Sequence, residues 1–229
     1  MNAGGYTESE AALVDAVKEL VREQGLAKTT VLQISQRANL NRKTFYKHFR
    51  DKYELVNWIC YREWSERESD TGLKDDWAFV LSILTFFESD RKFYGAALED
   101  SGQNSFGMYI VENIAEAIRS SCADMFRFFG IAEDSIVRIS FQLARMFRES
   151  MVYWLLHQDG KTSVEFFVDV ETEASAFAAL ICDYNKYAGL ECFCNKPGLP
   201  HFTAEKLDNV KLKPESEIED REFLHPKDL

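Results

Sequence analysis

Two short helical patterns, each of seven to nine residues, place the strongest constraint on the fold of this chain. The first begins at Thr30, where Gln33 three residues later completes a capping box. The second covers Arg42–Phe49 and follows the turn residues Asn39-Leu40-Asn41, since Asn tolerates the left-handed backbone region. Helices this short are unstable alone in water, so other helices must hold them in place.

The rest of the chain shows the apolar spacing of α-helices, and strand-like alternation of useful length does not occur. One helix precedes Gly25, which ends it, and Asp51 with Glu54 opens another that continues toward Ser69. The later predicted helices cover 75–88, 91–100, 105–129, 133–158 and 163–190. The sequence therefore predicts an all-α fold.

Basic residues are concentrated in the segment 28–52. It holds seven Lys and Arg and one acid, a net charge of +6, whereas the whole chain carries −11. The global charge alone argues against a nucleic-acid partner. The local concentration instead predicts a basic binding surface on an acidic body. A merely solvated charged face is the alternative, but it does not account for the caps and the turn.

The two short helices with their turn have the sequence form of a helix-turn-helix. We expect Phe45 and Phe49, four residues apart, to anchor the second helix from behind. The opposite face then presents polar and cationic side chains: Arg42, Lys43, Tyr46 and Lys47, with His48 at its edge. Because the DNA major groove accepts one helix, this pattern predicts double-stranded DNA as the partner.

A Thr-Phe-Tyr-x-His-Phe run, followed by a Lys and a Glu-Leu pair, lies within Thr29–Val56. With these residues the segment resembles the N-terminal domain of the TetR family of transcriptional regulators. The matching positions are Thr30, Ile34, Ala38, Thr44, Phe45, Tyr46, His48, Phe49, Lys52, Glu54 and Leu55. Asn39 stands where Gly is usual, and Lys43 stands where a small residue often precedes the Thr, which leaves the operator sequence open.

The resemblance implies individual roles in DNA binding. Thr30 and Lys52 would contact phosphates at helix N-termini, and Tyr46 would also hold the DNA backbone. For His48 a phosphate contact and a purely structural role are equal alternatives. The candidates for reading base edges are Asn41, Arg42, Lys43, Thr44 and Lys47.

The resemblance also implies the domain organisation. We expect a helix-turn-helix DNA-binding domain over 1–52 and a helical ligand-binding and dimerisation domain over 53–194. The segment 195–229 contains all four prolines and many charges, and it is expected to be a C-terminal tail. A homodimer would bind a pseudo-palindromic operator, as a repressor more often than as an activator in this family. The expected dimer face consists of Met146, Phe147, Trp154, Leu155, Phe177, Leu180 and Ile181.

Family members usually hold a small-molecule effector in the second domain, so an effector of unknown identity is expected. Arg145 lies in an apolar segment, where it would bind an anion or pair with Glu149 one turn later. The predicted ligand-binding residues are Phe86, Tyr94, Tyr109, Phe141 and Arg145. The stretch Arg91–Phe106 resembles a subgroup related to regulators of dihydroxyacetone kinase genes.

The motifs of common enzyme classes are absent from the sequence, which has no P-loop, no His-Glu-x-x-His and no dinucleotide-binding glycine pattern. We therefore expect no catalytic residues, no cofactor and no metal. Cys192-x-Cys194 with His201 offers three soft ligands, fewer than the usual zinc site. A helical interaction protein, or a thiol or metal sensor, that keeps the fold without binding an operator is the alternative class.

The sequence indicates neither a secretory signal nor a membrane-spanning segment. The first ten residues have no basic region and no apolar run, so no secretory signal is expected. The longest apolar stretch, Trp77–Phe87, is too short to cross a bilayer. These features predict a cytoplasmic protein with no membrane partner.

Overall fold

The computed structural model describes residues 6–68, 76–100, 102, 104–128 and 131–174, and these residues form helices and connecting turns without a strand. The all-α prediction is confirmed. The helices are α1 (Glu8–Gln24), α2 (Val31–Arg37), α3 (Arg42–His48), α4 (Lys52–Glu68), α5 (Asp76–Ser89), α6 (Arg91–Leu98), α7 (Phe106–Phe128), α8 (Glu133–His157) and α9, described over 163–174. In the described part of the chain, none of the helices combines the length and apolar character that crossing a bilayer requires.

Capping boxes start the first two helices. The Thr30 hydroxyl accepts from the Gln33 N–H at 3.2 Å, and the Gln33 side chain accepts from the Thr30 N–H at 2.9 Å, which confirms the predicted box. A second box, formed by Thr7 and Glu10, starts α1 and was not predicted. Each box pairs two backbone N–H groups that the helix itself leaves without acceptors.

Asp51 caps α4, as the sequence predicts. Its Oδ1 accepts from the backbone N–H groups of Tyr53 and Glu54, both at 2.9 Å. The Glu54 carboxylate reaches back to the N–H of Arg50 rather than to that of Asp51. The turn between α3 and α4 is therefore fixed by hydrogen bonds from both sides.

Left-handed backbone marks two of the predicted breaks. Gly25, after α1, has φ +81°, and Asn39, between α2 and α3, has φ +54°. Asn adopts the left-handed region more readily than most residues do, because its short polar side chain bonds locally. Asn39, at the position where the family that this segment resembles usually has Gly, is thus compatible with the turn.

One continuous apolar core runs from α1 through α9 and includes α3 and α4. Between α4, α5 and α6 the core is aromatic, with Trp64 edge-on to Phe86 and Phe86 5.0 Å from Tyr94 between ring centroids. The expected boundary between domains, 52/53, falls in the first turn of α4, and α4 packs against both α1 and α7. This helix therefore belongs to the packing of both parts.

Arg91 joins the start of α6 to the end of α8. Its guanidinium donates to the carbonyl oxygens of Trp154 at 2.5 Å, Leu155 at 3.1 Å, Gln158 at 2.9 Å and Lys161 at 3.0 Å. The first three of these carbonyls lie at the C-terminal end of α8, where a cation also complements the helix dipole, and that of Lys161 lies in the connection to α9. The start of α6 is thereby fixed to the end of α8.

The expected dimer face is only partly present on the surface of α8. Trp154 and Leu155 are buried in the core, so assigning them to a subunit interface was wrong; a helical stripe alone does not tell core from interface. Phe147 is half-buried against the core, whereas Met146 is 66% exposed and Tyr153 is 59% exposed. The remaining predicted residues lie outside the described residues: Phe177, Leu180 and Ile181.

The expected tail over 195–229 and the Cys192, Cys194 and His201 group also lie outside the described residues. Among the residues that are described, Cys60 is a buried free thiol. The same residues contain no group of His, Cys, Asp and Glu side chains placed to hold a metal ion.

Candidate nucleic-acid interface

Two phenylalanines hold α3 from its inner side. Phe45 is fully buried and Phe49 nearly so, with their ring centroids 6.0 Å apart. The Phe49 ring meets Trp58 of α4 edge-on at 5.1 Å. Because a seven-residue helix is not stable by itself, this burial fixes both the presence and the orientation of α3. The predicted anchoring role of both rings is confirmed.

Asn41 begins α3 as its N-cap. Its Oδ1 accepts from the backbone N–H of Thr44 at 2.8 Å and from the Thr44 hydroxyl at 3.1 Å. These contacts occupy the oxygen of Asn41 and the hydrogen of the Thr44 hydroxyl. At these two positions the cap leaves unused the Asn41 amide NH2 and the acceptor lone pairs of the Thr44 hydroxyl oxygen.

The outer face of α3 is exposed and cationic. Arg42, Lys43 and Lys47 are exposed, and Tyr46 is 50% exposed. The Arg42 guanidinium carbon lies 5.8 Å from the centre of the Tyr46 ring, and its Nη2 donates to the Tyr46 hydroxyl at 3.3 Å. The structure therefore brings together on one surface four of the residues that were predicted to contact DNA.

The start of α2, which precedes α3 in the chain, carries one further predicted contact residue. Thr30 is exposed, with its hydroxyl hydrogen donated to Gln33 Oε1 at 2.9 Å. Leu32, in the first turn of α2, is 49% exposed and was not singled out by sequence reasoning. The signal was weak, because a single exposed leucine is common on protein surfaces.

His48 is bound to the first turn of α1. Its Nε2 lies 3.1 Å from the Ser9 hydroxyl, and its Nδ1 lies 3.5 Å from Glu10 Oε1. Burial by itself would raise the pKa of Glu10, but hydrogen bonds from Thr7 and the neighbouring His48 lower it below its usual value. These contacts favour the structural alternative for His48, in which it holds the end of α3 against α1.

Lys52 is also engaged within the protein. Its Nζ donates to the carbonyl oxygens of Leu26 at 2.7 Å, Ala27 at 3.0 Å and Thr29 at 2.9 Å. Burial lowers the pKa of the Lys52 ammonium, and the carboxylates of Asp100 and Asp51 oppose that shift. Sequence reasoning missed this arrangement, because the three acceptors are backbone atoms 23 to 26 residues away.

Ionic contacts connect α1 to the helices behind it. Lys18 Nζ lies 2.5 Å from Glu63 of α4 and 3.6 Å from Asp90, the residue before α6. Arg22 binds the same Asp90 carboxylate through Nε at 3.1 Å and through Nη2. The Tyr94 hydroxyl donates to Glu63 at 2.7 Å, and burial, aided by Cys60 and Glu63, raises the pKa of this phenol well above its usual value.

The five predicted ligand-binding residues do not form one site. Phe86, Tyr94 and Tyr109 are buried within the main core. Phe141 packs on a separate small cluster that includes Ala144, and the Arg145 guanidinium carbon lies 5.4 Å from the Phe141 ring centre. The helical pattern located all five side chains on helices but could not separate these two locations.

The expected buried arginine is a different residue. Arg145 is exposed, whereas Arg148, three residues later, is buried and donates to the carbonyl oxygen of Leu98 from Nε at 3.1 Å and from Nη2 at 2.7 Å. Glu149 pairs with Arg148 and not with Arg145. The interpretation of Arg145 as a buried cation was wrong by one helical turn, because Arg148 faces the end of α6.

Parts of this chain are similar to a known protein family and to known regulators. Residues 13–59 match the model of the bacterial regulatory proteins of the tetR family. The HTH-type dhaKLM operon transcriptional activator DhaS of Lactococcus lactis subsp. lactis (strain IL1403) is 26% identical over 87 residues, which are 38% of this chain and 46% of that protein. The chain thus spans about half the length of this curated relative.

A solved structure described as dihydroxyacetone kinase operon activator DhaS aligns with a TM-score of 0.47 and 17% identity. The alignment covers 73% of this chain and 94% of that one. The matched family and the curated relative are transcription regulators and not enzymes.

The cap at Asn41 leads to a stability prediction. Asn41→Ala removes both hydrogen bonds to Thr44 and is expected to cost about 1 kcal/mol, which lowers Tm by about 2–4 °C in a chain of this size. Asn41→Ser keeps a cap acceptor and is expected to leave Tm near that of the wild type. Thermal unfolding followed by circular dichroism gives both values. Equal losses for the two variants would show that the Asn41 oxygen does not stabilise α3.

Proposed function

We propose that this chain, whose residues 13–59 match the model of the tetR family, is a transcription regulator of that family and that two copies of it bind a pseudo-palindromic operator. The observation that carries the proposal is the exposed cationic face of α3, held from behind by the buried Phe45. Such a helix fits the major groove, where side chains near its N-terminus reach base edges.

The proposed contacts divide into two classes. Arg42 and Lys43, in the first turn of α3, would read base edges, together with the Asn41 amide NH2 and Thr44. Lys47, a base-reading candidate by the resemblance, is assigned to a phosphate, because it lies in the last turn of α3, away from the N-terminal residues that reach base edges. Thr30 and Tyr46 would likewise hold phosphates and set the register. The exposure of Arg42, Lys43 and Lys47 supports this division, since none of them is required for the core.

A homodimer is part of the proposal. Met146 and Tyr153 are exposed on α8 and lie seven residues apart, so they share one face of the helix. An exposed pair of large apolar side chains on a long helix suits the helix packing of a subunit interface. The proposed organisation has the DNA-binding domain over 1–52, the dimerisation and ligand-binding domain over 53–194 and a tail over 195–229. The regulator would act in the cytoplasm, where its DNA target lies.

Repression is the proposed direction of regulation, on the ground of the family resemblance. Activation is the second candidate, because the name of the curated relative describes an operon activator. Transcription from the operator-bearing promoter, measured with and without the chain, separates the two. A fall when the chain is present indicates repression, and a rise indicates activation.

A small-molecule effector of unknown identity also belongs to the proposal. Arg145 and Phe141 lie at a part of α8 that is open to a ligand. Contact with Phe86, Tyr94 and Tyr109 would require the aromatic core to open, since all three are buried. An effector alters DNA binding only if its affinity differs between the conformations that bind DNA and those that do not.

The two contact classes predict different effects of two alanine substitutions. Arg42→Ala is expected to relax the choice at one base pair, a loss of about 1–3 kcal/mol of discrimination. Lys47→Ala is expected to weaken binding to operator and random DNA alike. It is also expected to reduce the magnitude of the negative slope of log K against log salt by about 0.9. Fluorescence anisotropy on a selected operator, its single-base variants and random DNA measures both quantities.

Lys28→Ala serves as the control, because Lys28 is exposed but lies outside α3. If Arg42→Ala and Lys47→Ala lower the affinity for operator and random DNA by the same factor, the division between reading and holding residues is wrong.

The dimer face predicts the effect of charge on self-association. The double substitution Met146→Glu and Tyr153→Glu places two acids on each subunit's exposed α8 face, and is expected to shift the protein from twice 26.5 kDa to the single-chain mass. Analytical ultracentrifugation measures this mass. Val137→Glu is the matched control, since Val137 is also exposed on α8 but lies nine residues before Met146, on the opposite face of the helix. A double variant that stays dimeric, or a wild type that is monomeric, contradicts the assignment.

A further inference from the structure

We propose that Lys52 is a positioning residue that ties together the two ends of the helix-turn-helix and does not itself contact DNA. The proposal rests on the proposed function, because it concerns how the DNA-binding surface is held. It departs from the phosphate contact that the family resemblance implies for this lysine.

The donors and acceptors at Lys52 are matched in number. A lysine ammonium carries three N–H groups, and three backbone carbonyl oxygens, those of Leu26, Ala27 and Thr29, lie within 2.7 to 3.0 Å of Nζ. The Lys52 side chain also lies over the Tyr53 ring, with Nζ 4.9 Å from its centre. No N–H group of Lys52 is left over for a phosphate oxygen in this arrangement.

The groups that Lys52 joins lie at the two ends of the helix-turn-helix. Thr29 directly precedes Thr30, the N-cap of α2, and Lys52 is the first residue of α4, three residues after the end-capping Phe49 of α3. One side chain therefore joins the entry to α2 to the exit from α3. The separation of these two points fixes how α2 and α3 are presented together.

Releasing Lys52 toward DNA would have a cost on the protein side. The hydrogen bonds from Lys52 to Leu26 and Thr29 are part-buried. Because the donor is charged, they are stronger than hydrogen bonds between neutral groups. Breaking them would leave carbonyl oxygens without this donor in a poorly hydrated place. By contrast, Lys43 and Lys47 are exposed on α3 and can reach a phosphate without breaking such contacts.

Lysine acylation of the wild-type full-length protein tests this directly. With N-hydroxysuccinimidyl acetate and peptide mass spectrometry, Lys52 is expected to react about tenfold more slowly than Lys47 in the free protein, because its charge-assisted hydrogen bonds must break first. Its rate is expected to be unchanged when operator DNA is bound, while DNA slows the reaction of Lys47. A Lys52 that reacts as fast as Lys47 in the free protein and is protected by DNA overturns the proposal.

The salt dependence of binding gives an independent readout with matched substitutions. Lys52→Met is expected to lower Tm and the affinity for all DNA sequences, with the slope of log K against log salt unchanged. Lys47→Met is expected to lower that slope by about 0.9 with Tm unchanged. If the magnitude of the slope falls by about 0.9 for Lys52→Met at unchanged Tm, Lys52 contacts a DNA phosphate and the proposal is wrong. If Lys52→Met does not fold, the acylation rates of the wild type decide.

Failure of the proposal differs from failure of the proposed function. A wild-type protein that binds neither its own upstream DNA nor random DNA at low salt refutes the function, yet slow acylation of Lys52 would still establish its internal contacts. If the wild-type protein binds DNA and Lys52 is protected from acylation only in the DNA complex, the positioning role is refuted while the proposed function stands.

Discussion

Burial of two phenylalanine rings behind α3 is the interaction on which the rest of this structure depends. A seven-residue helix is not stable alone in water, so α3 depends on the burial of Phe45 and Phe49 in the core that it shares with α1, α2 and α4. The same burial decides which face of α3 is turned outward. The cations at 42, 43 and 47 are available for the proposed contact with DNA because the apolar residues on the other side of α3 are buried.

Polar contacts then set the position of this unit with respect to the body. His48 joins the end of α3 to Ser9 and Glu10 of α1, and Lys52 joins the start of α4 to the loop before α2. Behind them, Asp90 at the start of α6 binds Arg22 of α1. Arg91, its neighbour, binds the C-terminal carbonyls of α8. Asp90 and Arg91 thus connect α1 to the C-terminal end of α8, so a displacement of the start of α6 would change the contact between Asp90 and α1.

Local chemistry made part of this predictable from the sequence. The Thr30–Gln33 box, the left-handed Asn39 and the Asp51 cap each depend on residues within three positions of one another, and each was found where expected. The cationic face of α3 followed from its periodicity. Helical spacing, however, does not reveal depth of burial, and for that reason it assigned to Arg145 the buried place that Arg148 occupies and assigned Trp154 to an interface.

The partners of His48 and Lys52 could not be predicted, because they are separated from them by 39 and by 23 to 26 residues. The family resemblance suggested a phosphate contact for Lys52 and, as one alternative, for His48. A sequence motif describes residue types and does not show the hydrogen bonds that these residues make within the protein. The distribution of the candidate ligand residues between two apolar clusters could not be predicted either, because all of them lie on helices and their grouping is a property of the tertiary packing.

The central claim, that α3 lies in the major groove, is tested most directly by methylation interference on an operator selected from random DNA. Dimethyl sulfate places a methyl group on guanine N7, which faces the major groove, and on adenine N3, which faces the minor groove. The account requires guanine N7 methylation in both half-sites to block binding, with the two patches separated by about one helical turn or a multiple of it. Interference confined to adenine N3, or none at either position, would contradict it.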